Sequence, residues 1–399
     1  MTEPVAPAST SARQITWASY SMLLVFGLSV GLPGPAVPSL QDAYGLSYAG
    51  AALHLTLFSA GSAVGSAFDD RLDRRFHRTT LLRASLAAVA IGAALCALAP
   101  TAAVSLAGIT AMGVGGTIAI NIAHGVLGSE RADGRGTVLA NAHLFAAIGL
   151  ASAAVAVAAA RAVGQWRLAF ALPVVGVVVI LLTRQPQRLP ANAAASAETP
   201  VQPTPTSTAV RIGGMVLALS VAVEWAVTFW AASFLRDPIG LTPTFADAMT
   251  IGVLAGLVLG RSLLGRLIRR RAAVVLLRAA FVVTIAMSVP YLVGPRLPDP
   301  FGVVVPVVAL VLLCLTVTML FPLALAVTLT AAGGSATEQQ RASATALGMG
   351  AAGAVVTPYL LGATADATTL TTALVVLPAG ALLALLAIAA MHRTAQPAR

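Results

Sequence analysis

The chain contains no lysine and carries little charge of either sign. Its 399 residues include 24 arginines and 14 acidic residues, so that 10% of the residues are charged and 58% are hydrophobic. A soluble domain carries about 25% charged residues. Together with a mean hydropathy of +0.89, this scarcity of charge excludes an ordinary soluble domain and indicates a protein that crosses a membrane many times.

Other absences narrow the functional class. The two cysteines, Cys96 and Cys314, both lie in apolar runs, which argues against a disulfide framework or a cysteine metal site. A phosphate-binding Gly-x-x-x-x-Gly-Lys loop is missing, so ATP is excluded as the energy source. The first apolar run is too long for a cleavable signal peptide. We expect no cofactor and no metal.

Apolar runs long enough to cross a membrane fill most of the chain. A spanning helix needs about 20 apolar residues, and prolines such as Pro33 and Pro322 predict bends in spans 1 and 10. The sequence predicts twelve spans, at residues 16–38, 49–68, 79–98, 102–127, 137–160, 165–183, 209–234, 245–266, 273–293, 302–330, 342–363 and 369–391. We therefore predict an all-α membrane protein.

The twelve spans form two sets of six that echo each other. The matches are Gly61 with Gly256, Gly65 with Gly260, Arg71 with Arg266 and Arg74 with Arg269 at an offset of 195 residues, and Arg135 with Arg341 at an offset of 206. Glycines four residues apart share a helix face and let a neighbouring backbone come close. This duplication predicts two pseudo-symmetric six-helix bundles, residues 1–183 and 209–399. Residues 184–208, rich in Pro, Ala, Thr and Ser, predict a mobile linker.

The placement of the arginines predicts the orientation in the membrane. If both termini lie inside, only four of the 24 arginines fall outside: Arg161, Arg167, Arg236 and Arg296. This positive-inside bias explains the net charge of +10 without a nucleic-acid partner. Abundant alanine and arginine are typical of a GC-rich bacterial genome. We expect a multi-pass monomer in a bacterial cell membrane, with the linker and both termini in the cytoplasm.

This organisation resembles the major facilitator superfamily over nearly the whole chain. That family's loop between spans 2 and 3 reads Gly-x-x-x-Asp-Arg-x-Gly-Arg-Arg/Lys. Here Gly65 and Asp69 match the beginning of this signature. Arg71 and Arg74 match its end with a displacement of a single residue, and aspartate replaces the second glycine. Either Asp69 or Asp70 therefore takes the place of the signature aspartate.

The resemblance implies an inner latch between the two halves. In the family, the signature aspartate meets a helix N-terminus of the other half, where an anion is favoured. The latch residues here would be Asp69 or Asp70 with Arg71 and Arg74, with Arg135 nearby. For the arginines, the alternative is a role as topology anchors alone. The arginine of span 4 and the Gly-Pro pair of span 5 that mark drug/proton antiporters are missing.

Polar side chains at membrane depth are candidates for function. The substrate-cavity candidates are His54 in span 2, Asn121 in span 4, Asn141 and His143 in span 5, and Trp225 in span 7. For the asparagines a helix–helix hydrogen bond is the alternative, and for the histidines a structural role. We expect Trp230 to anchor at the outer interface. Arg261, near the inner end of span 8, is assigned to the inner gate, where it pairs with an acid or reaches out to water.

Glu224 is the only one of the 14 acids deep inside a predicted span. It follows Arg211 by 13 residues, about 20 Å at 1.5 Å per residue, within a hydrocarbon core of about 30 Å. A carboxylate there loses hydration, which favours its protonated form. We therefore expect Glu224 to carry a coupling proton. A static bond to a polar group on span 1, 10 or 11 is the alternative.

The residues and the resemblance together predict a secondary active transporter of a small organic solute, and not an enzyme. Span 7, from Val223 to Arg236, is similar to the fucose-permease-like branch, which favours a sugar-like solute carried with protons. Proton-driven efflux of a drug or secondary metabolite is the alternative. A remote alternative, an intramembrane enzyme, needs clustered aspartates for Mg²⁺, and the cluster Asp69, Asp70 and Asp73 lies in a basic loop.

Overall fold

The computed structural model describes residues 10–130, 135–183, 207–333 and 336–395. Within these ranges it contains sixteen α-helices, two short 3₁₀-helices and no β-strand. Twelve helical segments are long and apolar enough to cross a membrane. The predictions of an all-α fold and of twelve spans are thus confirmed. Residues 184–206 of the predicted linker lie outside the described residues.

The helices follow the predicted spans closely, and most of their ends agree within a few residues. They are α1 Thr10–Gly31, α2 Pro33–Tyr44, α3 Tyr48–Arg75, α4 Arg78–Leu98, α5 Ala102–Glu130, α6 Arg135–Ala162, α7 Leu172–Thr183, α8 Thr208–Thr228, α9 Ala231–Arg236, α10 Pro243–Leu267, α11 Ala273–Val293, α12 Phe301–Val317, α13 Leu320–Ala331, α14 Ala336–Ala367, α15 Leu370–Ala373 and α16 Val376–Ala395. The 3₁₀-helices are Trp166–Ala171 and Gly294–Arg296.

Several spans are broken into two helices. In span 1, Pro33 begins α2 directly after α1, because proline lacks the N–H that would continue the hydrogen-bond ladder. In span 10, α12 ends at Val317 and α13 begins at Leu320, just before Pro322. Both spans are therefore interrupted next to the prolines from which a bend was predicted. Span 7 also breaks, between Thr228 and Ala231, at a place that no proline marks.

Contacts divide the chain into two compact units. Unit 1 comprises Met1–Val30, Ala60–Leu150 and Arg167–Val201. The core of its described residues joins α1, α4, α5, α6 and α7 through side chains such as Leu23, Leu86 and Ile122. Helix α4, which begins with a charged residue, thus presents its apolar side chains to this core.

Unit 2 comprises Gly31–Ser59, Ala151–Trp166 and Gln202–Arg399. Its central element is α8, which packs against α12, α13, α14 and α16. Trp230 is fully buried in this unit and packs edge-on against Tyr48, with ring centroids 5.7 Å apart. The expectation that Trp230 anchors at the outer interface is therefore wrong, because its ring packs inside the protein.

The echoed glycines lie where two helices come closest. A Cβ on Gly65 of α3 would lie 2.6 Å from the carbonyl oxygen of Val114 in α5. A Cβ on Gly260 of α10 would collide with the carbonyl of Leu315 and the methyl of Thr318 on span 10. Small residues are therefore required at both positions, as expected for helices that pack backbone to backbone in a membrane.

Candidate functional site

Glu224 does not stand alone inside its span. Its carboxylate lies 3.5 Å from the guanidinium of Arg261, between Oε1 and Nη2. The Nε–H of Arg261 donates a hydrogen bond to Thr318 Oγ1 at 2.8 Å. These three side chains connect α8, α10 and the end of α12. We call them the Glu–Arg–Thr triad.

Close helix packing brings the triad together. Arg261 follows Gly260, the residue at which α10 touches span 10. Thr318 directly follows the last residue of α12, at the break in span 10. The absence of a side chain at Gly260 thus lets Arg261 reach Thr318. Arg261 is paired with an acid, but this acid, Glu224, lies on the preceding span of the same half of the sequence rather than across the inner gate.

The attraction between the two charges of the triad offsets part of the free-energy cost of burying them. At 3.5 Å and an effective dielectric constant of about 20, two unit charges attract by about 5 kcal/mol. Desolvation costs several kcal/mol for each ion. The side chains of Glu224 and Arg261 remain 20% and 24% exposed, so water lowers both terms. Loss of either charge therefore leaves the other without compensation in a largely buried site.

In unit 1, a hydrogen bond between Asn121 and Asp69 joins α5 to α3. The amide of Asn121 on α5 donates to Asp69 Oδ2 on α3 at 3.0 Å. Asn121 thus makes a helix–helix hydrogen bond, and its partner is one of the two candidate latch aspartates. The side chains of Asp70 and Arg135 lie outside the described residues. Arg71 and Arg74 are exposed at the end of α3.

The other substrate-cavity candidates are divided between the two units. His124 and His143 meet in unit 1, with ring centroids 5.3 Å apart, and Asn141 is exposed on the same helix as His143. His54 in unit 2 is fully buried, and its Nδ1 lies 3.1 Å from the carbonyl oxygen of Ala51. Trp225 is half-buried next to Glu224.

Two arginines have roles that the sequence did not indicate. Arg161, counted only as an outer topology residue, forms an ion pair with Asp247. Arg78 is buried in unit 1, and its guanidinium lies against Gly125 of α5. Asp247 lies close to a span boundary and so has no signature in the sequence. Among the described residues, no group of three or more His, Cys, Asp or Glu side chains is arranged to hold a metal ion.

Comparisons with protein-family models and with solved structures give matches over most of the chain. A family model described as Major Facilitator Superfamily matches residues 20–347. No curated protein matches the chain in sequence.

Three solved structures of similar fold illustrate the likeness. A D-xylose–proton symporter is 14% identical with a TM-score of 0.73, over 96% of this chain and 97% of the other. A bacterial homolog of the human lysosomal transporter Spinster, inward-facing and unoccupied, is 13% identical with a TM-score of 0.71, over 98% and 100%. The transporter FucP in its outward conformation is 16% identical with a TM-score of 0.63, over 96% and 99%. At these identities the likeness establishes the fold.

Proposed function

Since the chain belongs to the Major Facilitator Superfamily and is a membrane transporter rather than an enzyme, we propose that it moves a small organic solute by alternating access with Glu224 as the proton carrier. The observation that carries the proposal is the Glu–Arg–Thr triad. It combines an acid deep in a span, a cationic partner on a second span and a hydroxyl at the break of a third.

The triad offers a physical route from proton binding to movement. When Glu224 is ionised, its charge holds Arg261 between α8 and α10. When Glu224 takes up a proton, its Coulombic attraction to Arg261 is lost, and Arg261 keeps its hydrogen bond to Thr318. The contact that joins α8 to α10 therefore weakens with each proton bound. A proton shifts a conformational equilibrium only if it binds the two states with different affinity, so the proposal requires the contact between Glu224 and Arg261 to differ between the two states.

The architecture of the moving parts follows from the duplication. We assign the two bodies that rock against each other to residues 1–183 and 209–399, joined by the linker 184–208. The arginine bias favours an orientation with both termini in the cytoplasm of a bacterial cell. In this arrangement Asp69, held by Asn121, and Arg71 serve the inner latch.

The solute is proposed to be neutral and sugar-like, carried into the cell with protons. Trp225, half-buried beside Glu224, offers an aromatic face for stacking on such a solute. Proton-driven efflux is the competing direction. Uptake of labelled sugars by cells that express the protein supports import, whereas efflux of dyes without sugar uptake supports export.

The decisive experiment replaces Glu224 by Gln in protein reconstituted into liposomes. Glu224→Gln keeps the shape of a protonated acid, so we expect solute exchange to persist while accumulation driven by a pH gradient is lost. Glu338→Gln, an exposed acid at the start of α14, is the matched control and retains accumulation. If Glu224→Gln still concentrates solute in response to the pH gradient, Glu224 is not the proton carrier.

A further inference from the structure

One end of unit 2 is held together by polar contacts between residues far apart in sequence. Arg161, at the end of α6, forms an ion pair with Asp247 near the start of α10. Its guanidinium also donates to Ser39 Oγ at 2.9 Å and to the carbonyl oxygen of Pro35 at 3.3 Å. The side chains of Arg161 and Asp247 are only 22% and 13% exposed. One arginine therefore ties α2, α6 and α10 in a site largely shielded from water.

A second group of contacts lies at the start of α3. Asp366, near the end of α14, accepts hydrogen bonds from the backbone N–H groups of Tyr48 at 2.8 Å and Ala49 at 3.0 Å. These N–H groups have no partner within their own helix, and the helix dipole favours an anion there. A Cβ on Gly362, one turn before Asp366, would lie 2.7 Å from the carbonyl oxygen of Tyr48. The hydroxyl of Tyr48 donates to Asp237 at 2.6 Å.

The two groups of contacts lie at positions that the internal repeat relates to each other. Span 5 echoes span 11, and span 2 echoes span 8. Arg161 at the end of span 5 binds the start of span 8, and Asp366 at the end of span 11 binds the start of span 2. Arg161 and Asp366 are 205 residues apart, within one residue of the offset of 206 that relates these spans. The chemistry differs, but each contact joins the first half of the sequence to the second.

We propose that Arg161, Asp247, Tyr48 and Asp366 form a clasp that holds this end of the transporter closed and must separate for the end to open. The inference rests on the proposed function, because only alternating access requires the same end to open and close. The arginine bias places this end outside the cell. The strength of the clasp then sets the fraction of molecules that are open to the outside.

A cavity beside the clasp provides a place to detect opening. It has a volume of about 350 Å³ and is lined by Arg161 and Asp247 together with Trp166 and Ala232. Ala232 on α9 is only 4% exposed. We therefore expect a cysteine at this position to react slowly while the clasp is closed and faster when the clasp opens.

The test measures the labelling rate of Ala232→Cys in intact cells with a membrane-impermeant maleimide. The native Cys96 and Cys314 are 1% and 0% exposed and stay unlabelled. When opening is fast, the rate follows the open fraction. We expect Asp366→Ala and Asp247→Ala, each added to the reporter, to speed labelling at least tenfold.

Milder variants and controls keep the test decisive. Asp366→Asn retains an acceptor for one N–H group, so its rate should fall between those of the parent and Asp366→Ala. Tyr48→Phe removes only the bond to Asp237, which should raise the rate by a smaller factor in a protein whose folding is preserved. Asp299→Ala changes an exposed aspartate before α12 and should leave the rate unchanged. Each variant is first shown to be monodisperse in size-exclusion chromatography.

Two results would overturn the proposal. The first is an unchanged labelling rate in Asp366→Ala, Asp247→Ala and Tyr48→Phe while the exposed position Thr244→Cys is labelled promptly. The second is labelling of Thr244→Cys only after the cells are permeabilised, which would place the clasp in the cytoplasm. The assay measures labelling rather than transport, adds no solute and imposes no pH gradient. Failure of Glu224→Gln to abolish coupling therefore leaves the clasp standing, and failure of the clasp leaves the coupling standing.

Discussion

The substitution Gly260→Ala tests whether backbone contact between α10 and span 10 builds the triad. The added Cβ would lie 3.1 Å from the carbonyl carbon of Leu315 and closer still to its oxygen and to the methyl of Thr318. Overpacking of this kind costs about 1–3 kcal/mol. Gly→Ala in a helix also lowers the entropy of the unfolded chain, which stabilises by about 0.4–1 kcal/mol. The net effect at Gly260 is therefore destabilising.

The same helix supplies a matched control at Gly265. No atom lies within 4 Å of a Cβ built there, and the residue is exposed. Gly265→Ala therefore carries the entropic gain without the collision. The difference between the two variants isolates the packing cost of about 1–3 kcal/mol.

The difference is measured as a shift of the thermal midpoint of the purified protein at one scan rate. With an unfolding entropy of about 2.1 cal/mol/K per residue, a chain of 399 residues shifts by about 1 °C for each kcal/mol. Gly260→Ala should melt about 1–4 °C below Gly265→Ala, and its pH-driven transport should fall because Thr318 is pushed away from Arg261. Equal midpoints and equal transport for the two variants would refute the reasoning.

Two further predictions follow from contacts described above. Asn121→Ala removes the amide that bonds Asp69 at 3.0 Å, and a hydrogen bond to a charged group is worth about 1.5–3 kcal/mol. We expect Asn121→Ala and Asp69→Asn to slow transport to a similar extent. A double variant that is no slower than either single variant would confirm that the two residues act together. Residues 244 and 268 lie at opposite ends of α10. An impermeant maleimide should therefore label Thr244→Cys from outside intact cells and Ile268→Cys only after permeabilisation. Labelling of both cysteines from the same side would contradict the proposed topology.

The sequence predicts the helices well because membrane spans obey a strong and local rule. A run of about 20 apolar residues has to be helical in lipid, since every backbone polar group must be satisfied within its own segment. The span ends near Arg78, Pro243 and Ala273 are accordingly close to their observed positions. The close contacts at Gly65 and Gly260 were also predictable, because glycines four residues apart leave one helix face bare.

The contacts of the polar residues were less predictable because they depend on which spans are neighbours. The alternative to a proton carrier, a static bond of Glu224 to a group on span 1, 10 or 11, names the wrong spans, because its partner Arg261 lies on span 8. Asp247 and Asp366 lie near span boundaries, where an acid is unremarkable in the sequence. Only the folded arrangement places them opposite Arg161 and the start of α3.

The break in span 7 has a mechanical consequence. The helical hydrogen bonds of α8 run as far as Phe229 N–H to Trp225 O at 3.0 Å and resume with Phe234 N–H to Trp230 O at 2.8 Å. A continuous helix would rotate as one rigid body. With the break, the segment carrying Arg236 can pivot while the segment carrying Glu224 keeps its register. The break at Trp230 thus divides one membrane crossing into two levers. Under the proposed function, mutations in one lever would then change the strength of the clasp and mutations in the other the proton affinity of Glu224, each independently.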